Sequence, residues 1–438
     1  MPESDNQNLY LANTQESADR INSRFYSRFP YPWRPKSFGF VEDPYFESRM
    51  INQSIGSWAH EVIPENPNIW VAGCGTNQAI YTALKFPEAN IVGSDISNKS
   101  LKLCADTAKE LGIRNLELKE ENINTIGYSD SFDYIVCTGV IHHTVNPEAT
   151  LIKLAKALKT IGILELMVYN HYHVINQTAF QKAIRLLGNN RDNEDIDFDR
   201  ELLLAKNLIQ NYSENNNMAD FLKSYNDCDE SMFADELLQP ILHNYTIESL
   251  QNLASKSGLE LLAPCIDIFD KAAGTYSWNI NFNNENLQEQ YNSLSDLERW
   301  NITNLLMLEN SPNLWFYLQR SDTNRTRKSE REMCEEFLGT KFINNDTVYR
   351  VYIEQQNGKY ELSENQREYP SLPHNEIDRD IVSLCDGTKY MCDVFENLGI
   401  RSNFLTTNNH RLKLTTPAYP YLRSTGETKK AEKALSWS

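Results

Sequence analysis

A short glycine-containing run is the first pattern in this sequence whose residue types and spacing could do chemistry. Residues 71–76 are Val-Ala-Gly-Cys-Gly-Thr, and they follow an apolar stretch. Glycine lets a backbone approach a ligand closely and adopt angles that other residues avoid. A lone Gly-x-Gly is also compatible with a tight strand-to-helix turn that binds nothing, so the run needs support from elsewhere in the chain.

Asp95 provides that support, since it closes the next apolar stretch, residues 90–94. In an open α/β sheet, ligands bind beyond the carboxyl ends of the strands. A carboxylate about twenty residues after a glycine turn accepts hydrogen bonds from ribose hydroxyls. Asp95 could instead be a solvated strand end or a helix cap, but its coincidence with the glycine run favours nucleoside binding. A dinucleotide fingerprint needs a third glycine where this chain has Gln78, so a nucleoside without phosphates is favoured over a nicotinamide dinucleotide.

The elements that must position these residues alternate regularly between about residues 67 and 170. Apolar runs predict five strands, and the segments between them predict helices; the strands are expected at 68–72, 90–94, 115–118, 132–138 and 162–169. Strands alternating with helices indicate βαβ units and a mostly parallel sheet. The fold class predicted is therefore α/β, with a Rossmann-like sheet.

In order and spacing, these segments resemble class I S-adenosylmethionine-dependent methyltransferases. The resemblance is carried by residues 71–76, 93–97 (Gly-Ser-Asp-Ile-Ser), 121–123 (Glu-Asn-Ile), 132–137 (Phe-Asp-Tyr-Ile-Val-Cys) and 139–143 (Gly-Val-Ile-His-His). It is strong over about residues 67–170 and weaker over 171–320. Within the class, the chain looks like a bacterial subgroup with an N-terminal Tyr-Pro-Tyr-Pro-Trp-type segment, here residues 29–33, a tyrosine-rich segment at 169–172 and a further element at 240–245.

The resemblance implies S-adenosylmethionine as the cofactor and assigns residues to its parts. Those that would line the methionine portion are Ala72, Gly73, Cys74 and Gly75. Asp95 would hold the ribose, and the adenine would lie against Ile96, Asn122 and Ile123. The residues that would close the pocket beneath the sulfonium are Cys137, Thr138 and Gly139. The family usually has Asp where this chain has Asn122; the Asn carbonyl can still accept a hydrogen bond from the adenine amine.

The acceptor side is less specific. His142 and His143 follow the fourth strand and Tyr169 ends the fifth, so these three residues are the catalytic candidates, with a structural role for the histidines left open. Further candidates for substrate binding are aromatic or imidazole side chains, namely Tyr26, Tyr31, Trp33, Tyr172, His173 and His243. The aromatic segment could equally attach an N-terminal arm to the domain, and the residues after the fifth strand could pack a lid.

Four parts of the chain follow from these patterns. We predict an N-terminal arm with an aromatic and proline-rich segment at 1–60, and a methyltransferase domain at 61–322 with a helical lid insertion at 171–245. A small α+β domain of winged-helix type, separate from the sheet domain, is predicted at 333–425, with a strand at 411–415. A disordered tail is predicted at 426–438.

Composition restricts the partners. The net charge of −18 disfavours nucleic acid, because like charges repel a phosphate backbone. No run of about 18 apolar residues predicts a membrane span, and no secretory signal is visible. The eight cysteines form no Cys-x-x-Cys pair, so no metal site is expected. Unpaired thiols suit a reducing cytoplasm, and a homodimer remains possible.

The function predicted is methyl transfer to a small-molecule or peptide acceptor. One alternative is a catalytically silent protein that binds the donor and serves as a scaffold or partner subunit. A nicotinamide-dependent oxidoreductase is a third possibility, and it predicts NADH binding.

Overall fold

The structure, a computed structural model, describes residues 14–188, 196–266 and 277–429. Its first half contains the N-terminal arm and the strands that build the centre of the main sheet. In chain order these elements are α1 (Gln15–Arg28), β1 (Ser37–Val41), α2 (Phe46–Ser54), β2 (Asn68–Ala72), α3 (Gln78–Lys85), β3 (Asn90–Asp95), α4 (Asn98–Glu110), β4 (Leu116–Glu120), β5 (Phe132–Thr138), α5 (Pro147–Ala157) and β6 (Leu158–Val168).

The second half contains a helical insertion, the remaining strands of the main sheet and two small sheets. The elements are α6 (Ile175–Leu187), α7 (Phe198–Asn211), α8 (Asn217–Lys223), α9 (Glu230–Leu237), α10 (Ile247–Lys256), β7 (Leu259–Pro264), α11 (Glu285–Ser293), α12 (Asp296–Met307), β8 (Leu314–Arg320), α13 (Glu330–Leu338), β9 (Thr340–Asn344), β10 (Thr347–Glu354), β11 (Tyr360–Leu362), β12 (Arg367–Tyr369), α14 (Glu376–Leu384), β13 (Asp386–Tyr390), α15 (Met391–Asn397), α16 (Phe404–Thr415) and β14 (Leu422–Thr428).

The main sheet has seven strands in the order β4-β3-β2-β5-β6-β8-β7. All neighbouring strands are parallel except β8, which runs antiparallel to β6 and β7. Successive strands extend from β2 in one direction to β4 and from β5 in the other, so the order reverses between β2 and β5. That is where ligands bind in open α/β sheets. The predicted Rossmann-like α/β fold is confirmed.

Both faces of the sheet are covered, which explains the uniformly apolar strands. In β2, Ile69 and Val71 belong to the core on one face, while Trp70 and Ala72 belong to the core on the other. A strand buried on both sides cannot alternate polar and apolar residues. The helix starts follow local capping: the Ser97 hydroxyl accepts the Ser100 amide at the start of α4, and Asn146 caps α5 in front of Pro147.

Four helices, α6 to α9, form the insertion between β6 and α10, and the N-terminal helix shares their core. Phe25 of α1 and Phe29, which directly follows α1, both pack edge-on against Phe198 of α7. Their ring centroids are 5.3 and 6.4 Å, respectively, from that of Phe198. Helix α1 starts at a capping box formed by Thr14 and Ser17. The arm and the helical lid are therefore packed together as one layer over the carboxyl edge of the sheet.

The C-terminal region differs from the single separate unit that the sequence suggested. Strands β10 and β11 form an antiparallel hairpin, and β10 also pairs antiparallel with β1 of the N-terminal arm. The other small sheet has the order β13-β9-β14 and packs with α13 to α16. A strand of the N-terminal arm and strands of the C-terminal region thus form one sheet. The winged-helix type of the C-terminal region stays a prediction.

Two predictions in this region are wrong. The strand predicted at 411–415 is the end of helix α16, because Arg411 is buried and its guanidinium donates to Asn408 Oδ1 one turn earlier, at 2.8 and 3.1 Å. The predicted disordered tail begins within β14, which pairs with β9 as far as Thr428. Residues 430–438 lie outside the described residues.

Candidate functional site

The glycine loop follows β2 at the point where the strand order reverses. Gly73 and Gly75 have φ angles of 72° and 54°, in the region that favours glycine. The amides of Gly73 and Cys74 both donate to the Ser94 carbonyl, at 2.8 and 2.9 Å, so the loop turns back over the end of β3. This turn brings the loop backbone next to Asp95.

Asp95 fixes the loop with both of its oxygens. Oδ2 accepts the Gly75 amide at 2.9 Å, and Oδ1 accepts the Ser97 amide at 2.8 Å. Burial raises the pKa of Asp95, and the amide donors of Ser97 and Gly75 oppose that rise. A carboxylate has about four acceptor positions, so lone pairs remain for ribose hydroxyls. The group fits the role that the resemblance assigned to it.

The N-terminal arm lies directly on the glycine loop. The Thr76 amide donates to the Tyr31 carbonyl at 3.2 Å, the Thr76 hydroxyl donates to the Pro32 carbonyl, and the Asn77 side chain donates to the Trp33 carbonyl at 3.1 Å. A Cβ atom at position 75 would lie 2.6 Å from the Tyr31 carbonyl oxygen. Gly75 is therefore required by the close approach of the arm as well as by its own φ angle.

Helix α1 crosses the carboxyl ends of three strands. Its Ser23 hydroxyl donates to the Ile96 carbonyl after β3 at 3.3 Å, and Asn22 donates to the His143 carbonyl after β5 at 2.7 Å. Between these contacts, Asn122 after β4 donates to Asp19 at 2.6 Å. The helix thus forms a roof above the positions that the resemblance assigned to adenine, which include Ile96, half-buried, and Ile123, buried.

The predicted residues at the end of β5 are close to the loop but differ in kind. Cys137 is buried, and burial raises the pKa of its thiol to about 12, so it is a neutral packing group. Thr138 pairs with Met167 of β6, and the Gly139 amide donates to the Met167 carbonyl at 3.2 Å. Val140 lies beneath Gly73, where an added Cβ would be 2.5 Å from its Cγ2.

His142 and His143 are buried, and they lie against the half-buried Tyr169. The ring centroids of His142 and Tyr169 are 4.1 Å apart, as are those of the two histidines. His143 Nδ1 is 2.8 Å from the Ile241 carbonyl, and the His243 amide donates to the His142 carbonyl at 2.8 Å. Burial lowers the pKa of His142 well below its usual range and that of His143 and His243 to about 4. All three imidazoles are therefore neutral near pH 7.

A carboxylate that the sequence did not single out completes this group. Asp235 of α9 is buried and accepts hydrogen bonds from the hydroxyls of Tyr26 at 3.1 Å and Tyr169 at 3.5 Å. Burial raises the pKa of Asp235 to about 7, and the Tyr26 hydroxyl opposes that rise. Gln239 in turn donates to Tyr26 at 2.6 Å. We name this set, Tyr26, Tyr169 and Asp235 with His142 and His143, the tyrosine–aspartate cluster.

The structure brings some of the predicted acceptor residues to this cluster and leaves others apart. The negative charge of Asp235 adds to burial in raising the pKa of Tyr31, which is consistent with Tyr31 lying near the cluster. Trp33 is 43% exposed although its ring is 6.0 Å from that of Tyr31. His173 is exposed, and Tyr172 packs its ring against His171. No sequence motif marks Asp235, since it is one acid among the 60 of the chain.

The residues that the structure describes contain neither a membrane-spanning helix nor a cluster of metal ligands. No helix there is long and apolar enough to cross a membrane. Over the same ranges, no group of three or more His, Cys, Asp and Glu side chains is arranged to hold a metal ion.

Comparison with known proteins finds a matching family model and related sequences. Residues 71–228 match a family model described as a methyltransferase domain. A protein of Synechococcus sp., syc1184_c, is 25% identical over 349 residues, which are 78% of this chain and 80% of that protein. RP789 of Rickettsia prowazekii is 33% identical over 118 residues, 26% of this chain and 20% of that protein.

The solved structure of PKMT2 from Rickettsia typhi in complex with AdoHcy has the same overall fold. Its TM-score is 0.54 at 19% identity, and the alignment covers 90% of this chain and 77% of that one. A second structure of PKMT2 gives a TM-score of 0.55 at 17% identity. The likeness at these identities concerns the fold.

The domain match and the Rossmann-like sheet together show that residues 71–228 of this chain belong to a methyltransferase domain. S-adenosylmethionine is the methyl donor that the resemblance implies for such a domain. The donor fits the residues at the glycine loop, where a buried carboxylate retains free acceptor positions beside two amide donors.

Proposed function

We propose that this chain transfers a methyl group from S-adenosylmethionine to a small molecule or peptide that binds beneath the arm and the lid. The proposal rests on one observation: the N-terminal arm contacts both the glycine loop and the tyrosine–aspartate cluster. The carbonyl of Tyr31 accepts the Thr76 amide of the glycine loop, and the same arm supplies Tyr26 to the tyrosine–aspartate cluster. A donor held at the loop and an acceptor held at the cluster would then be neighbours.

The donor would be held by the residues that the resemblance assigned. The glycine loop at 72–75 would lie along its methionine portion, Asp95 would bind the ribose, and the end of β5 at 137–139 would line the space beneath the sulfur. When bound, S-adenosylmethionine supplies an electrophilic methyl group on a cationic sulfur. The protein's contribution is then to align the acceptor with that group and to exclude water.

The acceptor would meet the tyrosine–aspartate cluster. Burial keeps His142, His143 and His243 neutral and makes them weak bases, because it lowers the pKa of His142 well below its usual range and the pKa values of His143 and His243 to about 4. Asp235, with a pKa of about 7, is matched to proton transfer near neutral pH. We therefore assign Asp235 the role of accepting a proton from the nucleophilic atom, while Tyr26 and Tyr169 orient its carboxylate and His142 packs against Tyr169.

The charge of the chain bears on the acceptor's class. A net charge of −18 opposes binding of a phosphate backbone. An uncharged or basic small molecule or peptide meets no such barrier, and we retain that acceptor class.

Donor binding tests the first half of the proposal. Calorimetry with S-adenosylhomocysteine should give a clear affinity for the wild type and a loss of roughly a hundredfold for Asp95→Asn, because hydrogen bonds to a charged group are worth about 1.5–3 kcal/mol each. Asp106→Asn is the matched control, since Asp106 is exposed on α4. Equal affinities for the two variants would contradict the assignment of Asp95.

Methyl transfer tests the second half. The protein, given donor labelled in its methyl group and a fractionated extract of small metabolites and peptides, should label at least one fraction. Tight donor binding with no labelled fraction would favour the alternative, a catalytically silent donor-binding scaffold. Binding of NADH in place of the donor would favour an oxidoreductase.

A further inference from the structure

Asn122 stands at the end of β4, where the resembling family has an acid that binds the adenine amine. Its side-chain oxygen faces its own loop, because Oδ1 accepts the Asn124 amide at 2.9 Å. Its Nδ2 points the other way and donates to Asp19 Oδ2 at 2.6 Å. Through this hydrogen bond, Asn122 holds the Asp19 carboxylate of α1 next to the end of β4.

Asp19 is well held in this position. It lies on α1, half-buried, and its Oδ1 accepts a second hydrogen bond from Gln15 at 2.7 Å. Neighbouring residues of α1 fix the helix over the sheet edge, since Asn22 contacts the His143 carbonyl and Ser23 the Ile96 carbonyl. Two amide donors occupy two of the about four acceptor positions of the carboxylate, so two remain.

We infer that Asp19, positioned by Asn122, accepts the hydrogen bond from the exocyclic amine of the donor's adenine. This inference rests on the proposed function, since it requires the donor at the glycine loop. The N-terminal arm would then select the nucleobase in addition to covering it. The carboxylate that binds the amine would then belong to α1 of the arm and not to the end of β4. Donor binding in this chain would therefore depend on the position of the arm over the sheet edge.

The chemistry of the contact predicts a specific discrimination. The amine of adenine donates hydrogen bonds, and a carboxylate only accepts them. Hypoxanthine carries a carbonyl oxygen at the same ring position, and two acceptors would then face each other without a hydrogen. A site that leaves a polar group unpaired rejects such an analogue strongly.

The experiment compares S-adenosylhomocysteine with S-inosylhomocysteine by calorimetry on the full chain. The wild type should prefer the adenine compound by roughly tenfold to a hundredfold, as expected for a hydrogen bond to a charged group. In Asp19→Asn the preference should fall to within about threefold, because an amide can rotate to donate to the carbonyl. Glu16→Gln removes an exposed charge from the same helix and should keep the wild-type preference.

The ratio of the two affinities separates recognition from structure. If Asp19 only pins the helix, Asp19→Asn weakens both compounds by the same factor and the preference stays unchanged, which overturns the inference. Asn122→Ala provides a second variant, and it should reduce the preference because Asp19 loses its positioning donor. Equal binding of both compounds by the wild type would overturn the inference while the donor site stands. Binding of neither would overturn the proposed function as well.

Discussion

At the scale of single residues, Asp235 is a buried acid whose carboxylate accepts hydrogen bonds from two phenol hydroxyls, those of Tyr26 and Tyr169. A carboxyl group in such surroundings keeps its proton up to about pH 7. The buried imidazoles beside it lose theirs far below that pH. A motif search finds paired histidines and overlooks a lone acid on a lid helix, so the sequence pointed to the weaker bases.

The rate of methyl transfer should depend on the ionisation of Asp235. In wild type the rate should fall as the pH drops below about 7, since the protonated carboxyl can no longer accept a proton. Asp235→Asn should lower kcat by roughly 10²-fold to 10⁴-fold and remove this dependence. The measurement is the pH profile of transfer to a fraction that the wild type labels. Glu236→Gln is the control: Glu236 helps to raise the pKa of Asp235, so its loss should move the profile to lower pH and keep the activity.

The same residue should reduce stability at neutral pH. The pKa of its carboxyl is 3.8 ordinarily and about 7 in the folded chain, so between these values the folded state binds a proton that the unfolded state lacks. The free energy of unfolding therefore falls as the pH rises from about 4 to about 7, by up to about 4 kcal/mol.

Asp235→Asn carries no such penalty and should be more stable than the wild type at pH 8, with a smaller difference at pH 5. Urea unfolding at both pH values measures it, and the exposed Asp106→Asn should give the same difference at each. A gain that did not change with pH would show that the carboxyl does not titrate in this range.

At the scale of elements, the arm and the glycine loop depend on each other. The carbonyl of Tyr31 lies where any side chain at position 75 would be. Residues 30–35 cannot form a helix because of their prolines, so the sequence indicates a non-helical segment there. It could not predict on which surface that segment lies, because the partner atoms are backbone groups without a pattern of their own.

Gly75→Ala should separate the arm from the loop. Both the left-handed backbone angle and a Cβ 2.6 Å from the Tyr31 oxygen oppose the substitution. Affinity for S-adenosylhomocysteine should fall by at least about tenfold, and the arm should become more accessible to limited proteolysis. Gly112→Ala is the control, since Gly112 has a φ of 69° but open space around its Cβ position. If Gly112→Ala lost as much affinity for S-adenosylhomocysteine as Gly75→Ala, backbone strain would explain the loss without the contact to Tyr31.

Most elements of the main sheet could be predicted because their strands are apolar runs with polar turns at their ends; the edge strand β4, Leu116–Glu120, is the exception. One C-terminal element was predicted wrongly, because its sequence fits two structures. Residues 411–415, Arg-Leu-Lys-Leu-Thr, alternate as in a strand, yet packing buries Arg411, Leu412 and Leu414 from one helix. Strand β1 was missed because its five residues become a strand only by pairing with β10, about three hundred positions later.

At the scale of the whole molecule, the C-terminal region is attached to the rest of the described chain through α2, where Gln53 hydrogen-bonds with Leu422 and Ser424, and through two further joints. The arm pairs with the C-terminal region through β1 and β10. The second joint is a buried group of charges where α12 and α13 begin. Arg299 contacts Asp296 at 2.7 Å and Glu330 at 2.9 Å, and Arg327 contacts Asp296 at 2.6 Å. The C-terminal region is therefore attached to the sheet domain through three buried charged side chains, Arg299, Asp296 and Glu330, and the partly exposed Arg327.

Arg299→Met should destabilise this joint strongly. Its guanidinium also lies over the Phe404 ring of α16, at 4.7 Å from the centroid, so one side chain contacts three helices. Removing it leaves Asp296 with Arg327 alone and leaves Glu330 without its cation, and breaking a buried pair in this way costs about 3–5 kcal/mol. Urea unfolding measures the loss.

The control for that variant is Lys223→Met, which breaks the pair with Asp220 on α8, where both side chains are more than two-thirds exposed. An exposed pair contributes at most about 1 kcal/mol, so the two variants should differ by a factor of three or more. If the C-terminal region unfolds before the sheet domain in Arg299→Met, tryptophan fluorescence and donor binding will be lost at different urea concentrations. A loss in Arg299→Met no larger than the control would mean that the other contacts, such as the pairing of β1 with β10 and the hydrogen bonds of Gln53, and not the buried charges, hold the C-terminal region to the sheet domain.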